Sequence, residues 1–409
     1  MTILILALVS VAAGAAMGHR QGAIRATISL IGILLSAELA WPFSGLIKPI
    51  LPHLGIHNPA MLWMLPPFFT FLVLLSIIKS IGLLVNRKVE VHYRYRADDL
   101  QFIRWSKMNR WLGLCIGLMN GMVYFCLISF VIYDFSYWTS QIATSSDEKW
   151  EVRLLNRMGQ DLDTTGMNRV AIAINPLPEL YFKTADLAGL LYQNAQLKSR
   201  LANYPPYLSL AESDEFKQLG QDEDFQGAWK GQMPIHDLIN NGSFSAIWKN
   251  SATRDMVWDM VRTNLDDLQS YLKTGISAKY QGEPIYGRWY VNPVASMEAM
   301  LQATPDITTE DMDAMRSLWT PQYSNTVFIA SADNQAFLEN VPHLAVQSNP
   351  QPNHPPSFDT SSYQGEWKSD GYVYDVTLSG SSGNKSGTAT IDGTRLTLKL
   401  GGDSLMFDR

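Results

Sequence analysis

Few side chains in this 409-residue chain are spaced to do chemistry, and each short motif that qualifies also has a plainer reading. Gly402-Asp403-Ser404-Leu405 spells a serine-nucleophile motif, but it lies in a hairpin pattern at the very end of the chain. A serine nucleophile needs a tight strand-to-helix turn, and none is expected there. GSSGNKSG, from Gly380, resembles a phosphate loop by its letters. That loop requires Gly-x4-Gly-Lys-Ser followed by a helix; here an asparagine intervenes and a strand pattern follows, so the stretch reads as a turn. His53 and His57 stand four apart, a spacing that holds a metal on a helix, yet no third ligand is visible. They read as outer-loop residues. A Ser-His-Asp triad needs no adjacency in sequence, but no nucleophile elbow is present. No enzyme activity, cofactor or metal is expected. Glu38 is the one acid well inside an apolar stretch, and acids inside a membrane span are functional candidates by default. It lies near Trp41 and Pro42, at the end of its stretch, so a snorkelling structural role and a place on a translocation path both stay open.

The elements that carry these residues are dominated by lipid-length helices. Apolar stretches run over about 2–18, 23–41, 61–85 and 111–133. A helix needs roughly 20 apolar residues to cross a hydrocarbon layer of about 30 Å. The first stretch has no basic residue before it and Arg20 and Arg25 after it, which favours a retained helix over a cleaved signal. Pro66-Pro67 should kink the third helix or make it begin late. SGLIKPIL, from Ser44, reads as a short interfacial helix.

The fourth stretch, RWLGLCIGLMNGMVYFCLISFVIYDF, carries Gly113, Gly117 and Gly121 four apart. Glycine inside a helix costs roughly 0.5–1 kcal/mol relative to alanine. In lipid the cost is offset, because helices there attract each other by close contact and small residues let backbones approach. The same spacing recurs at Gly14, Gly18 and Gly22. These read as two packing seams, inside the bundle or between subunits of a homo-oligomer.

Charge divides the chain. Residues 1–140 hold eleven basic and five acidic side chains, a net of +6; the rest hold 21 basic and 33 acidic, a net of −12. Two environments are implied, with the bilayer as partner of the first, and nucleic acid is excluded for the acidic remainder. The connection between stretches one and two carries Arg20 and Arg25, and that between three and four carries seven basic residues. Residues 42–60 carry only Lys48. Positive loops stay in the cytoplasm, so the N-terminus and the large C-terminal region are expected on the periplasmic or extracellular side of the bacterial inner membrane. Both cysteines, Cys115 and Cys126, lie in the fourth stretch, so the polar remainder has neither disulfides nor a thiolate zinc site.

MNRWLGLCIGLMNGMVYFCLI resembles the last helix of the colicin V production protein (CvpA) family, whose pattern runs Asp-Arg-x-x-Gly-x-x-x-Gly-x-x-x-Gly; Arg110 holds its arginine position. GHRQGAIRATISLIG resembles that family's junction of helices one and two, with Gly22 and Arg25 at matching positions. Asn109, Asn120 and Gln21 stand where the family commonly has an acid and two arginines, which removes charges that an ionic network would use. The resemblance covers about 1–138. It implies four helices with an outward N-terminus and a transport- or scaffold-type role at the cell envelope, of the colicin production or export kind. It implies no catalytic residue.

The outer two-thirds read as helical over 139–282, then as strands. ATRDMVWDMVRTNLDDLQSYLKTG spaces Met256, Val257, Met260, Val261, Leu265, Leu268 and Leu272 for one buried face, with Gly275 as C-cap. Trp229, Trp248 and Trp258 are expected to fill that core. From 283 the period approaches two: IYGRWYV, a helix at TTEDMDAMRSLW, a hairpin near Asp333-Asn334, a Pro-rich loop at QSNPQPNHPPSF, and three closing strands before SLMFDR. Gly287-Arg288-Trp289, Gly365-Glu366-Trp367 and a terminal Phe407-x-Arg409 resemble small lipocalin-like domains, which implies a barrel with Trp289 and Trp367 at its floor.

The expected fold class is therefore a four-helix membrane bundle (1–138), a helical exported region (139–282) and an antiparallel β-barrel or meander (283–409). The expected function is non-enzymatic membrane work of the colicin V production type. The alternative is a membrane-anchored exported binding module whose barrel holds an apolar ligand or an envelope partner.

Overall fold

The computed structural model describes residues 1–56, 59–96, 98–143, 148–303, 317, 320–344, 358–401 and 403–409. They form two compact units, Met1–Gln193 with Gln232–Asp237, and Asn194–Gly231 with Leu238–Arg409.

Four helices of the first unit are long and apolar enough to cross a membrane: α1 (Thr2–Gln21), α2 (Ala23–Phe43), α3 (Pro59–Arg96) and α4 (Asp99–Ile142). Large aliphatic side chains such as Leu4, Leu8, Leu34, Val73 and Ile77 are exposed on them. Helices that are apolar all round belong in lipid, so this protein is a membrane protein. At 1.5 Å per residue α3 and α4 are about 57 and about 66 Å long, well beyond the hydrocarbon thickness. The excess at the α3–α4 connection carries the basic residues.

Helix α3 does not begin late. It starts at Pro59 and runs through Pro66-Pro67, and Thr70 Oγ1 donates to the Pro66 carbonyl (2.8 Å). Residues 44–54 form three short 3₁₀ turns instead of one interfacial helix, because Pro49 and Pro52 supply no N–H to a longer ladder. The helices α5 (Trp150–Thr165), α6 (Asn168–Ala173) and α7 (Glu179–Gln193) complete this unit and pack on the far end of α4. Leu162 of α5 joins Ile3, Phe125 and Ile132 in one buried cluster.

The remaining helices are α8 (Leu197–Ala202), α9 (Leu208–Ala211), α10 (Asp214–Gln221), α11 (Glu223–Lys230), α12 (Ile235–Asn240), α13 (Gly242–Lys249), α14 (Ser251–Thr274) and α15 (Pro293–Ala303). Asn250 Oδ1 accepts from Ala252 N at the start of α14, and Gly275 (φ 82°) ends it in the left-handed conformation expected of a C-cap. Leu265, Leu268 and Leu272 are buried as the spacing predicts. Met256 is exposed, because the first turn of α14 buries Thr253 and Arg254 instead. Trp248 is exposed rather than central, and Trp229 and Trp258 are half-buried.

Eight antiparallel strands close into a barrel in sequence order: β1 (Gly287–Val291), β2 (Val327–Ala330), β3 (Gln335–Leu344), β4 (Phe358–Asp370), β5 (Val373–Gly380), β6 (Gly383–Asp392), β7 (Arg395–Leu400) and β8 (Asp403–Asp408). Closure rests on two register pairs, Tyr290 with Asp408 and Val291 with Phe407. Closing the sheet removes its exposed edges. GSSGNKSG is only partly a turn: Ser381-Ser382 make the bend, and Gly383 already begins β6. The helix expected at TTEDMDAMRSLW and the Pro-rich loop fall almost wholly outside the described residues.

Candidate functional site

The two glycine triplets meet. α1 and α4 run antiparallel, and a Cβ at Gly14 would lie 2.7 Å from Gly121 Cα, one at Gly18 2.7 Å from Gly117 Cα, and one at Gly121 2.7 Å from Val11 Cα. Backbone meets backbone, so no flexible side chain can yield to a larger residue. Gly113 packs likewise against Gly22 and Ala23. All six glycines thus form one seam inside a single chain.

The positions that depart from the family pattern flank this seam. Asn109 Oδ1 accepts from Ala23 N (2.8 Å), which satisfies a free N–H at the start of α2, while Asn109 also abuts Gly22. Asn120 Nδ2 donates to the Ala26 carbonyl (2.9 Å). Neutral amides therefore link α4 to the start of α2 at two of the three places where charges were missing. Arg25 is half-buried and Arg110 exposed, and Glu38 lies on the exposed face of α2, away from the buried Ser29, Ile33 and Ser36. Lys79 donates to the Tyr124 hydroxyl (2.8 Å).

Residues 2–148 match the colicin V production protein family model. The matched stretch includes α1–α4 and ends just before α5. No curated protein and no solved structure matches the chain.

The barrel is the second candidate. Trp289, Phe328, Leu338, Val376, Leu398 and Phe407 belong to one continuous buried cluster that fills its interior. An eight-stranded barrel is just wide enough for side chains to fill it. Trp367 Nε1 donates to the Ser331 carbonyl (3.1 Å), and its ring meets Tyr286 and Tyr374 edge-on. Tyr374 donates to Glu283 (3.1 Å), and burial together with that hydrogen bond pushes its phenol up to about 12. Arg409 stacks over Trp289, 5.4 Å from the ring centroid, and donates to the Tyr286 carbonyl (2.6 Å). A Cβ at Gly287 (φ 137°) would crowd that guanidinium at 3.1 Å. The Gly287-Arg288-Trp289 and Phe407-x-Arg409 motifs thus act as a latch that closes β8 onto the first strand, while Trp367 packs separately.

Two polar clusters of this unit were not legible in the sequence. Glu212 receives Arg288 (2.5 Å) and Lys217 (3.1 Å), and Lys217 also reaches Glu339 (2.5 Å). Burial works to raise Glu212, but Arg288 and Lys217 outweigh it and hold the carboxyl below its usual range. Glu339 is pushed up by burial, against its bond from Lys217 and with the charge of Glu212 adding. At the other end of β3, Ser361 Oγ lies 3.2 Å from His343 Nδ1 and 2.7 Å from Ser382 Oγ. Both residues sit in the β3–β4 ladder, with Ser361 opposite Val341 and His343 opposite Asp359, so the contact reads as strand pinning.

His53 Nδ1 pairs with the Pro49 carbonyl (3.0 Å), His57 lies outside the described residues, and no three metal-ligating side chains cluster among the described residues. Ser404 lies within β8, paired in register with Lys399, and Gly402 is outside the described residues.

Proposed function

We propose that this is a non-enzymatic protein of the bacterial inner membrane whose colicin V production domain does transport- or scaffold-type work at the cell envelope. The α1–α4 glycine seam carries the reading: it joins the first and last of four helices backbone to backbone, in a body whose exposed surface is aliphatic. The basic connections favour an outward N-terminus and an exported C-terminal region. The test is Gly117→Leu in the full chain. Loss of the folded bundle together with the cellular function supports the reading, and an unchanged protein contradicts it.

A second reading treats the bundle as an anchor for an exported binding module. The latch of Arg409 on Trp289 supports it, because the barrel is complete in itself. Its interior is filled by its own side chains, so an envelope partner on the outer wall suits it better than an apolar ligand inside. Truncation at about residue 283 separates the two: loss of function with the bundle intact favours the module.

A further inference from the structure

Asp134 of α4 is fully buried, and its two carboxylate oxygens have unequal fates. Oδ1 accepts from Asn175 Nδ2 (2.7 Å); the Asn175 amide cannot be reversed, because its own Oδ1 accepts from Leu177 N (2.9 Å). Oδ2 is met by no protein group. One helical turn further on the same face, the buried indole N–H of Trp138 is also unmet. Tyr181 spans the two: its hydroxyl donates to the Asp134 backbone carbonyl (3.1 Å), and its ring lies 5.9 Å from that of Trp138. A carboxylate buried with one neutral donor is costly, because the charge has left water and nothing opposite compensates it.

The surrounding ionisable groups offer no compensation. Tyr133 and Tyr137 of α4, Asp163 of α5, and Tyr181 and Asp186 of α7 are all acids. Among the described residues the Asp134 carboxylate is met only by the neutral Asn175 amide, and the Met1 amine is engaged by Asp161 (2.7 Å). A metal cation is a poor match for the gap: a single carboxylate oxygen faces it, the nearby backbone carbonyl is taken by Tyr181, and the neighbouring Asn175 and Trp138 groups are N–H donors. A proton needs only the one oxygen.

We propose that Asp134 is a proton-binding site at the end of the bundle from which α5–α7 continue. Oδ2 takes a proton from hydronium, leaving water, while Oδ1 keeps its bond from Asn175; the neutral acid then permits α6 and α7 to seat on α4. The proposal rests on the helices being embedded in lipid as read above, but its readouts report Asp134 itself and do not depend on transport.

The test is infrared titration of the full-length protein in lipid nanodiscs, with a parallel hydrogen-exchange measurement. Wild type should show a protonated-carboxyl band that disappears at alkaline pH, is absent from Asp134→Asn, and is unmoved when sodium replaces choline. Exchange over 168–193 should rise with pH in wild type and stay flat in Asp134→Asn, which mimics the neutral acid. Asn175→Ala removes the donor that favours the carboxylate and should move the band's midpoint upward, an independent check should the first variant fail to fold. A band shared by wild type and Asp134→Asn at every pH, or a midpoint displaced by sodium, would overturn the assignment. Failure of the transport or scaffold reading would leave these spectra unchanged.

Discussion

The bundle and the barrel solve opposite packing problems. In the barrel, large side chains are driven inward and fill the space between strands: Trp289, Phe328 and Phe407 are buried completely or nearly so. In the bundle, many large side chains face outward, and the close contact between α1 and α4 along the seam is made by residues with no side chain, with Ile3, Phe125 and Ile132 buried beyond it. Water explains the difference. Burying apolar area is worth about 25 cal/mol per Å² where the alternative is water, and next to nothing where the alternative is lipid. Glycine therefore carries the helix-to-helix contact in one region, while in the other Gly365 and Gly387 let single strand positions approach the neighbouring backbone and Gly287 leaves room for the latch.

Substitutions should break this contrast in a definite order. Gly117→Leu is expected to have the largest effect, costing more than about 3 kcal/mol, because overpacking normally costs about 1–3 kcal/mol and here the obstacle is backbone that cannot rotate away. Gly45→Leu, with open space around it, should be tolerated, and size-exclusion profiles in detergent would compare the two. Next, Trp289→Ala should destabilise the barrel by about 3–5 kcal/mol while leaving membrane insertion intact; limited proteolysis of the second unit would report it.

Acid should act on the second unit through its carboxylates. Burial opposes the lowering of Asp267, but donation from Ser277, the Lys279 amide and Tyr204 prevails; Asp408 is lowered by Asn292 and then Arg395; Glu212 is lowered as described. A carboxyl whose folded value lies below its unfolded one contributes stability that is present above about pH 4 and lost as pH falls through the folded value. Glu339, raised, works in the opposite sense. Glu215, held low by its own backbone N–H and then Asn250, and Asp222, held low by Ser243 and the Phe225 amide, add to the same sense as the three lowered groups. The thermal midpoint of this unit should therefore drop below about pH 4, and Glu212→Gln should flatten that drop. The smallest effect is expected from Arg409→Ala, about 1 kcal/mol for the lost stacking and hydrogen bond.

What the sequence disclosed follows the same division. Glycine spacing and apolar run length are local signals, so the spans and the seam residues were legible from Gly14 through Gly121. That the two triplets face each other was not, since spacing alone does not name a partner. The strands and the Trp-Arg latch residues were legible because period-two burial and paired motifs recur; the helix α15 directly after β1 was missed, because the acid-rich TTEDMDAMRSLW gave the more evident helix pattern. Glu38 drew attention because hydropathy drew the fourth span to stop at 133. The helix continues to Ile142, so Asp134, one residue beyond that limit, is buried while Glu38 is exposed. The sequence signal that would have exposed it is the small and polar face of α4, where Ser129, Asp134 and Ser136 continue the buried positions begun by the glycines.

The most direct test of the central claim, that the first third of the chain lies in lipid with its basic turns inside the cell, is labelling of single cysteines by an impermeant maleimide. In a background of Cys115→Ser and Cys126→Ser, Ser140→Cys should react in intact spheroplasts, and Arg94→Cys should react only after lysis. Labelling in the reverse order, or equal labelling of both before lysis, would contradict it.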